Sequence, residues 1–213
     1  MKPIGSFLSG QRLKLAELQD YVIDIIYDEF QPDALLYGGT AVWRCYNGMR
    51  FSEDIDIYMD QPAFKAFASE IEKYDLRITW QDPELSSRIR IASNGAELLL
   101  EAKPGYAEND IRAYYRTDGT IKTISVFSPV ELMVRKIEAY QGRGFIRDIY
   151  DLFILTRWLD RSDYIVKNSL SKFLDEIHKP VDENILNSLI YAGRKDLNFS
   201  QMVKYIQGWL YEI

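Results

Sequence analysis

The sequence predicts an α+β fold, a mixed β-sheet flanked by helices and followed by a helical C-terminal half. Three observations carry that expectation. Up to Phe127, short apolar runs of strand length alternate with segments of helical spacing. An Asn94-Gly95 pair separates two strand-like runs and marks a tight hairpin. From Ser128-Pro129 onward the apolar residues recur with helical period, and no flexible linker precedes them. Residues 1–128 are therefore expected as a core, with 129–213 as a helical region packed on it.

Taken in order, Leu15, Leu18, Val22, Ile25 and Ile26 recur at helical spacing within residues 11–30, and Pro32-Asp33 stops that helix. Residues 34–37 read as a short buried strand. Thr40 is placed to cap the next helix, which ends near Asn47-Gly48. Residues 54–59 form the second strand. A helix over 62–74 carries Pro62 in its first turn and presents Phe64, Phe67 and Ile71. Strands at 76–80 and 87–92 follow. The chain returns after Asn94-Gly95 through 97–101, whose alternation puts Glu97, Leu99 and Glu101 on one face. A strand at 121–127 closes the sheet. Helices are expected at 129–140, 148–159, 164–178, 182–192 and 199–211.

Composition narrows the chemistry. The 213-residue chain is 47% hydrophobic, enough for a packed core. No apolar run reaches the length of a membrane span, and the segment from Met1 to Ser6 lacks a signal-peptide core. A lone cysteine, Cys45, forms no intramolecular disulfide and reads as a small core residue. The expectation is a cytoplasmic protein with no membrane partner. The lone histidine, His178, sits at a helix end and rules out a His-based triad or a two-His metal site. Catalysis would thus rest on carboxylates, lysine and a bound metal. The net charge of −6 argues against broad electrostatic capture of nucleic acid. A local basic cleft from Arg88, Arg90, Lys103, Arg112 and Arg116, interleaved with Tyr106, Tyr114 and Tyr115, is compatible with that balance.

The informative segment is Leu35-Leu36-Tyr37-Gly38-Gly39-Thr40, followed after residues 41–53 by Asp54-Ile55-Asp56-Ile57. On a strand, Asp54 and Asp56 project to one face while Ile55 and Ile57 enter the core. Two carboxylates held that close repel unless a divalent cation lies between them. Gly38 and Gly39 permit a tight turn whose backbone N–H groups approach an anion at a helix N-terminus. A metal-binding strand beside a phosphate-binding turn is the minimum equipment for nucleotidyl transfer.

Together these residues resemble the signature of the DNA polymerase β-like nucleotidyltransferase superfamily. Gly38-Gly39-Thr40-Ala41 with Arg50-Phe51-Ser52-Glu53-Asp54-Ile55-Asp56 is similar to the AbiEii/AbiGii toxin family within it. The resemblance implies a nucleotidyltransferase-type fold and a third carboxylate from a later strand. Glu101 fits that place, and Glu97 on the same face is its rival. It also extends to Lys136 and to Arg147-Asp148-Ile149-Tyr150-Asp151-Leu152, implying phosphate contact for Lys136 and an active-site carboxylate for Asp148. From the residues alone, Lys136 either snorkels along an apolar stripe or reaches an anion. Asp148 reads equally as a helix N-terminal charge, and Asp151 as a partner of Arg147.

The implied enzyme transfers NMP from an NTP to an acceptor hydroxyl, with Mg²⁺ or Mn²⁺ held by Asp54, Asp56 and Glu101. Gly38, Gly39, Thr40, Ser52 and Lys136 would bind the nucleotide. Ser52, two residues before Asp54, shares its side if the strand already runs straight there, or else hydrogen-bonds the loop backbone. The resemblance points to RNA, tRNA above all, as acceptor and to an antitoxin as partner. A small-molecule acceptor such as an antibiotic, or a non-catalytic nucleotide-binding module, are the competing readings.

Overall fold

The computed structural model describes residues 2–85, 87–193 and 196–211. The chain divides into two compact units, Met1–Cys45 with Ser52–Phe127, and Tyr46–Phe51 with Ser128–Ile213. The segment Tyr46–Phe51 groups with the C-terminal helices.

In the first unit, helix α1 (Gly10–Ile25) runs on into a π-helical turn, Ile26–Phe30. Strand β1 (Leu35–Tyr37) leads directly into α2 (Gly38–Cys45). Then come β2 (Asp54–Tyr58), α3 (Gln61–Glu70), β3 (Arg77–Gln81), β4 (Arg88–Ser93), β5 (Ala96–Lys103), β6 (Asn109–Tyr115) and β7 (Ile121–Phe127). The strands form one mixed sheet in the order β3-β4-β5-β2-β1-β7-β6. β2 lies antiparallel to β1 and parallel to β5, and β1 runs parallel to β7.

The register explains the core. Ile55 pairs with Leu100, and Leu100 with Ile89, so one row across three strands is fully buried. Leu36, Ile57 and Ala102 make the next row. Phe67 of α3 and Val22 and Ile23 of α1 are buried with them. The Asn94-Gly95 hairpin forms as expected, with φ of +49° and +77°. Strand β6 was not anticipated: its burial follows no clean alternation, with Ile111 exposed and Tyr114 buried. Tyr114 goes inside because its hydroxyl donates to Asp20 Oδ1 at 3.0 Å. Asp20 in turn pairs with the buried Arg44 at 3.2 Å and accepts from the Thr117 N–H and hydroxyl. These partners satisfy a charge that would otherwise be costly to bury.

In the second unit, α4 (Pro129–Arg143) is capped by Ser128, whose Oγ accepts from Glu131 N–H, and ends at Gly144 with φ of +66°. Helices α5 (Ile146–Leu155) and α6 (Tyr164–Glu176) follow. The expected helix over 182–192 is instead a 3-10 turn, Glu183–Ile185, and the single turn α7 (Leu186–Leu189). Tertiary pairing cuts it short. Leu189 O accepts from Phe51 N–H, Tyr191 N–H donates to Met49 O, and Ile190 bridges Arg50 in extended conformation. The final helix α8 is Phe199–Tyr211, as expected. His178 lies two residues beyond α6, its carbonyl accepting from the Tyr140 hydroxyl. Among the described residues, no helix is long and apolar enough to cross a membrane.

Candidate active site

The outer face of the first unit's sheet carries a polar row directly opposite its buried one. Tyr37 of β1 pairs in register with Asp56 of β2, Asp56 with Glu101 of β5, and Glu101 with Arg88 of β4. Residues paired across neighbouring strands share a face at roughly 4.8 Å between strands. Asp54 stands one pleat away on that face, more exposed than Asp56.

Gly38 brings the turn onto this row. Its φ is +75°, and a Cβ there would collide with the Asp56 carboxylate. The carboxylate therefore lies against the backbone at the N-terminus of α2, where N–H groups favour negative charge. Gly39 is buried as the second helical residue. Thr40 does not cap α2 from outside, because the helix has begun at Gly38. Its buried hydroxyl donates to Asp54 O at 2.5 Å and fastens the first turn of α2 to the start of β2. Ser52 precedes β2 and is buried, and its carbonyl accepts from Gln19 Nε2 at 2.9 Å.

The two candidate third carboxylates have different surroundings. Glu101 is half-buried beside Asp56, with Lys103 Nζ at 2.5 Å and Arg88 Nε at 3.5 Å. Glu97 pairs with Ala92 and lies beyond the stretch of β5 that faces β2. The Thr79 hydroxyl, and Arg90 after it, hold Glu97 below the usual carboxylate range. The expected basic cleft does not assemble as one surface. Arg88, Arg90 and Lys103 belong to β4 and β5, whereas Arg112 belongs to β6 at the opposite sheet edge, with Arg116 just beyond it. All five face carboxylates: Arg112 holds Asp110 at 2.7 Å and Arg116 holds Asp24 at 2.6 Å.

Lys136, Asp148 and Asp151 meet inside the second unit. Lys136 Nζ lies 2.6 Å from Asp151 and 3.6 Å from Asp148, and all three are buried. Arg50 grips Asp151 through two hydrogen bonds of 2.7 and 2.6 Å, and Arg143 grips Asp148 through two of 2.9 and 2.8 Å. Asp151 is thus the partner of Arg50 and Lys136, not of Arg147. Burial pushes its carboxyl up, but Arg50 and Lys136 outweigh this and leave it below the usual range. Lys136 does not snorkel along an apolar stripe: its amine meets both carboxylates. Asp148 does sit in the first turn of α5, as its sequence position suggested. The Arg50–Asp151 contact was missed by sequence reasoning, although both residues stand in the motifs that carry the family resemblance.

Does this face suit a divalent cation? Asp54, Asp56 and Glu101 are hard oxygen donors on one face, two of them in direct register, which fits Mg²⁺ or Mn²⁺ by ligand type. Among the described residues, however, no three Asp, Glu, His or Cys side chains converge as a metal-binding group. The cations at Glu101 occupy the place that a metal's charge would take.

The chain matches the family described as nucleotidyl transferase AbiEii toxin, type IV toxin–antitoxin system, over residues 24–206. No curated protein sequence matches it. Among solved structures it is similar to the nucleotidyltransferase toxin MenT4 of Mycobacterium tuberculosis (15% identity, TM-score 0.64, covering 94% of this chain and 83% of that one). It is also similar to JHP933 of Helicobacter pylori (16%, TM-score 0.59, 95% and 91% covered). The antibiotic-resistance factor ANT(2'')-Ia follows at 12% identity and a TM-score of 0.51, covering 78% and 94%. Identities this low speak for a shared nucleotidyltransferase fold.

Proposed function

The chain belongs to the AbiEii nucleotidyltransferase toxin family of type IV toxin–antitoxin systems, and on that premise we propose that this nucleotidyltransferase moves NMP from an NTP to an RNA hydroxyl, tRNA being the favoured acceptor. In this reading it works in the cytoplasm and is held in check by an antitoxin protein. Residues 1–128 are its catalytic core and 129–213 its helical region. The observation that carries the reading is the row Asp56–Glu101 with the Asp56 carboxylate resting on Gly38. It joins a carboxylate pair to a helix N-terminus, which is what a triphosphate and its counter-ion require.

In this mechanism the N–H groups of Gly38 and Gly39 at the start of α2 receive triphosphate oxygens. Thr40 keeps that turn in place through its hydrogen bond to Asp54 O. Asp54, Asp56 and Glu101 would hold Mg²⁺ or Mn²⁺, which when bound lowers the pKa of an acceptor hydroxyl and offsets phosphate charge. Lys103 and Arg88, which hold Glu101, would supply positive charge beside a bound triphosphate. Attack of the acceptor oxygen on the α-phosphorus releases pyrophosphate. Ser52 belongs to the nucleotide-binding set through its place just before Asp54. Lys136 keeps its proposed anion role and Asp148 its proposed carboxylate role. Their mutual ion pair gives each a positioning duty as well.

The pairing of every basic residue in the expected cleft favours a small-molecule acceptor as second reading. One assay separates the two. The protein is incubated with each radiolabelled NTP, with and without total RNA. Label should enter RNA, and Asp54→Ala or Asp56→Ala should abolish it while circular dichroism stays unchanged. RNA that stays unlabelled with all four NTPs would overturn the RNA reading.

A further inference from the structure

Two of the chain's four tryptophans line one cavity in the second unit. It is an open surface depression of about 560 Å³, bounded by Thr156, Arg157, Trp158, Asp160, Arg161 and Trp209. That volume suits a nucleotide-sized ligand. Trp158 is fixed by its indole N–H, which donates to Tyr46 O at 3.0 Å, and by edge-on packing against Tyr46. Arg161 leans on α8, donating to Trp209 O at 3.5 Å. The guanidinium carbon of Arg157, an exposed residue, lies 5.4 Å from the Phe153 ring centroid. Asp160 keeps its negative charge: one carboxylate oxygen accepts from both the N–H and the hydroxyl of Ser162, and these bonds, with the neighbouring Arg161, hold its carboxyl below the usual range. Two guanidinium groups against one carboxylate leave a local positive excess in a chain whose net charge is −6.

We propose that this cavity binds an unpaired nucleotide of single-stranded RNA, its base on an indole face and its phosphates on Arg157 and Arg161. Indole faces accept any base by stacking, and guanidinium forks suit phosphate oxygens. A base can reach an indole only when unstacked from its neighbours, so single strands are preferred over duplex. The proposal rests on the RNA-acceptor reading and gives the acceptor a docking point outside the carboxylate row.

The test is fluorescence anisotropy with labelled oligouridine, and with an RNA duplex of equal length, in the absence of NTP. Wild type should bind the single strand more tightly than the duplex. Trp209→Ala should weaken binding at least about fivefold, the lower end of the stacking contribution. Arg157→Ala with Arg161→Ala should reduce the slope of log affinity against log salt by about 0.7 per arginine. If Trp209→Ala lowers the melting temperature, Arg157→Ala, at an exposed position, decides alone. Absence of single-strand binding, tighter duplex binding, or unchanged affinity and salt slope in the variants would each overturn the proposal. RNA bound through this cavity but never labelled would instead sink the acceptor reading and leave the binding site standing. Labelling that the cavity variants leave intact would do the reverse.

Discussion

At Gly38 the φ of +75° and the Asp56 carboxylate together leave no room for a side chain. An alanine there meets left-handed backbone strain of about 1–2 kcal/mol and must also push Asp56 aside. Gly38→Ala should therefore lower denaturant stability by about that amount and reduce transfer on the order of a hundredfold, the effect of a small misplacement in a positioned site. Wild-type turnover in this variant would mean that Asp56 does not act from where it stands. Glu101 and Glu97 make a second residue-scale contrast. Glu101→Gln should depress metal-dependent transfer more than Glu97→Gln, because an amide oxygen is the poorer ligand for a hard cation and only Glu101 stands beside Asp56. Steady-state rates across a Mg²⁺ titration distinguish them. The reverse order would move the third carboxylate to the hairpin end of β5.

Helices α4 and α5 and the segment Tyr46–Phe51 are joined by the run of charges Arg50, Asp151, Lys136, Asp148 and Arg143. Deleting one side of such a buried pair strands the other, so Asp151→Ala should lose about 3–5 kcal/mol by urea melting. The pH dependence follows from the depressed carboxyl of Asp151. Its contribution is complete above the ordinary value of 3.8 and is lost as pH falls through the lower folded value. Acid unfolding of the wild type should thus steepen below about pH 4, and Asp151→Asn should flatten that limb. Lys136→Ala separates structure from substrate contact: calorimetry with NTP reports anion binding, and the melting temperature reports the ion network. Unchanged NTP affinity with a lowered melting temperature would make Lys136 a positioning residue alone. At this same scale, β6 and the short α7 departed from expectation for one shared reason. Each takes its form from distant partners: Asp20 against Tyr114, and Met49 to Phe51 against Leu189 and Tyr191.

Across the whole molecule, burial raises the hydroxyl pKa of Tyr27 and Tyr114 in the first unit and of Tyr140 and Tyr150 in the second. Neutral tyrosine is favoured in the fold, so this stability is complete below pH 10 and is lost as pH climbs toward about 12, where Tyr140 and Tyr150 titrate. Tyrosinate absorbance and loss of ellipticity should rise together above pH 10. Absorbance that rises fully before any unfolding would contradict the burial of these rings. Burial likewise pushes the Cys45 thiol up, so a thiol reagent should label it only as the protein unfolds.

The sequence by itself determined the mixed sheet, the helical second half, the Gly-Gly turn and the shared face of Asp54 and Asp56. Each follows from local chemistry: side-chain alternation on a strand, helical period, and the conformational freedom of glycine. It also placed Glu101 and its rival Glu97 on one face, through the parity of one strand. Only the tertiary structure decided that Glu101 stands in register with Asp56, because parallel pairing of β2 with β5 brings together residues far apart in the chain. Only the tertiary structure decided that Lys136 faces two aspartates and that Arg50 closes on Asp151, since a buried charge takes whichever partner packing supplies, and that choice leaves no periodic trace in the chain.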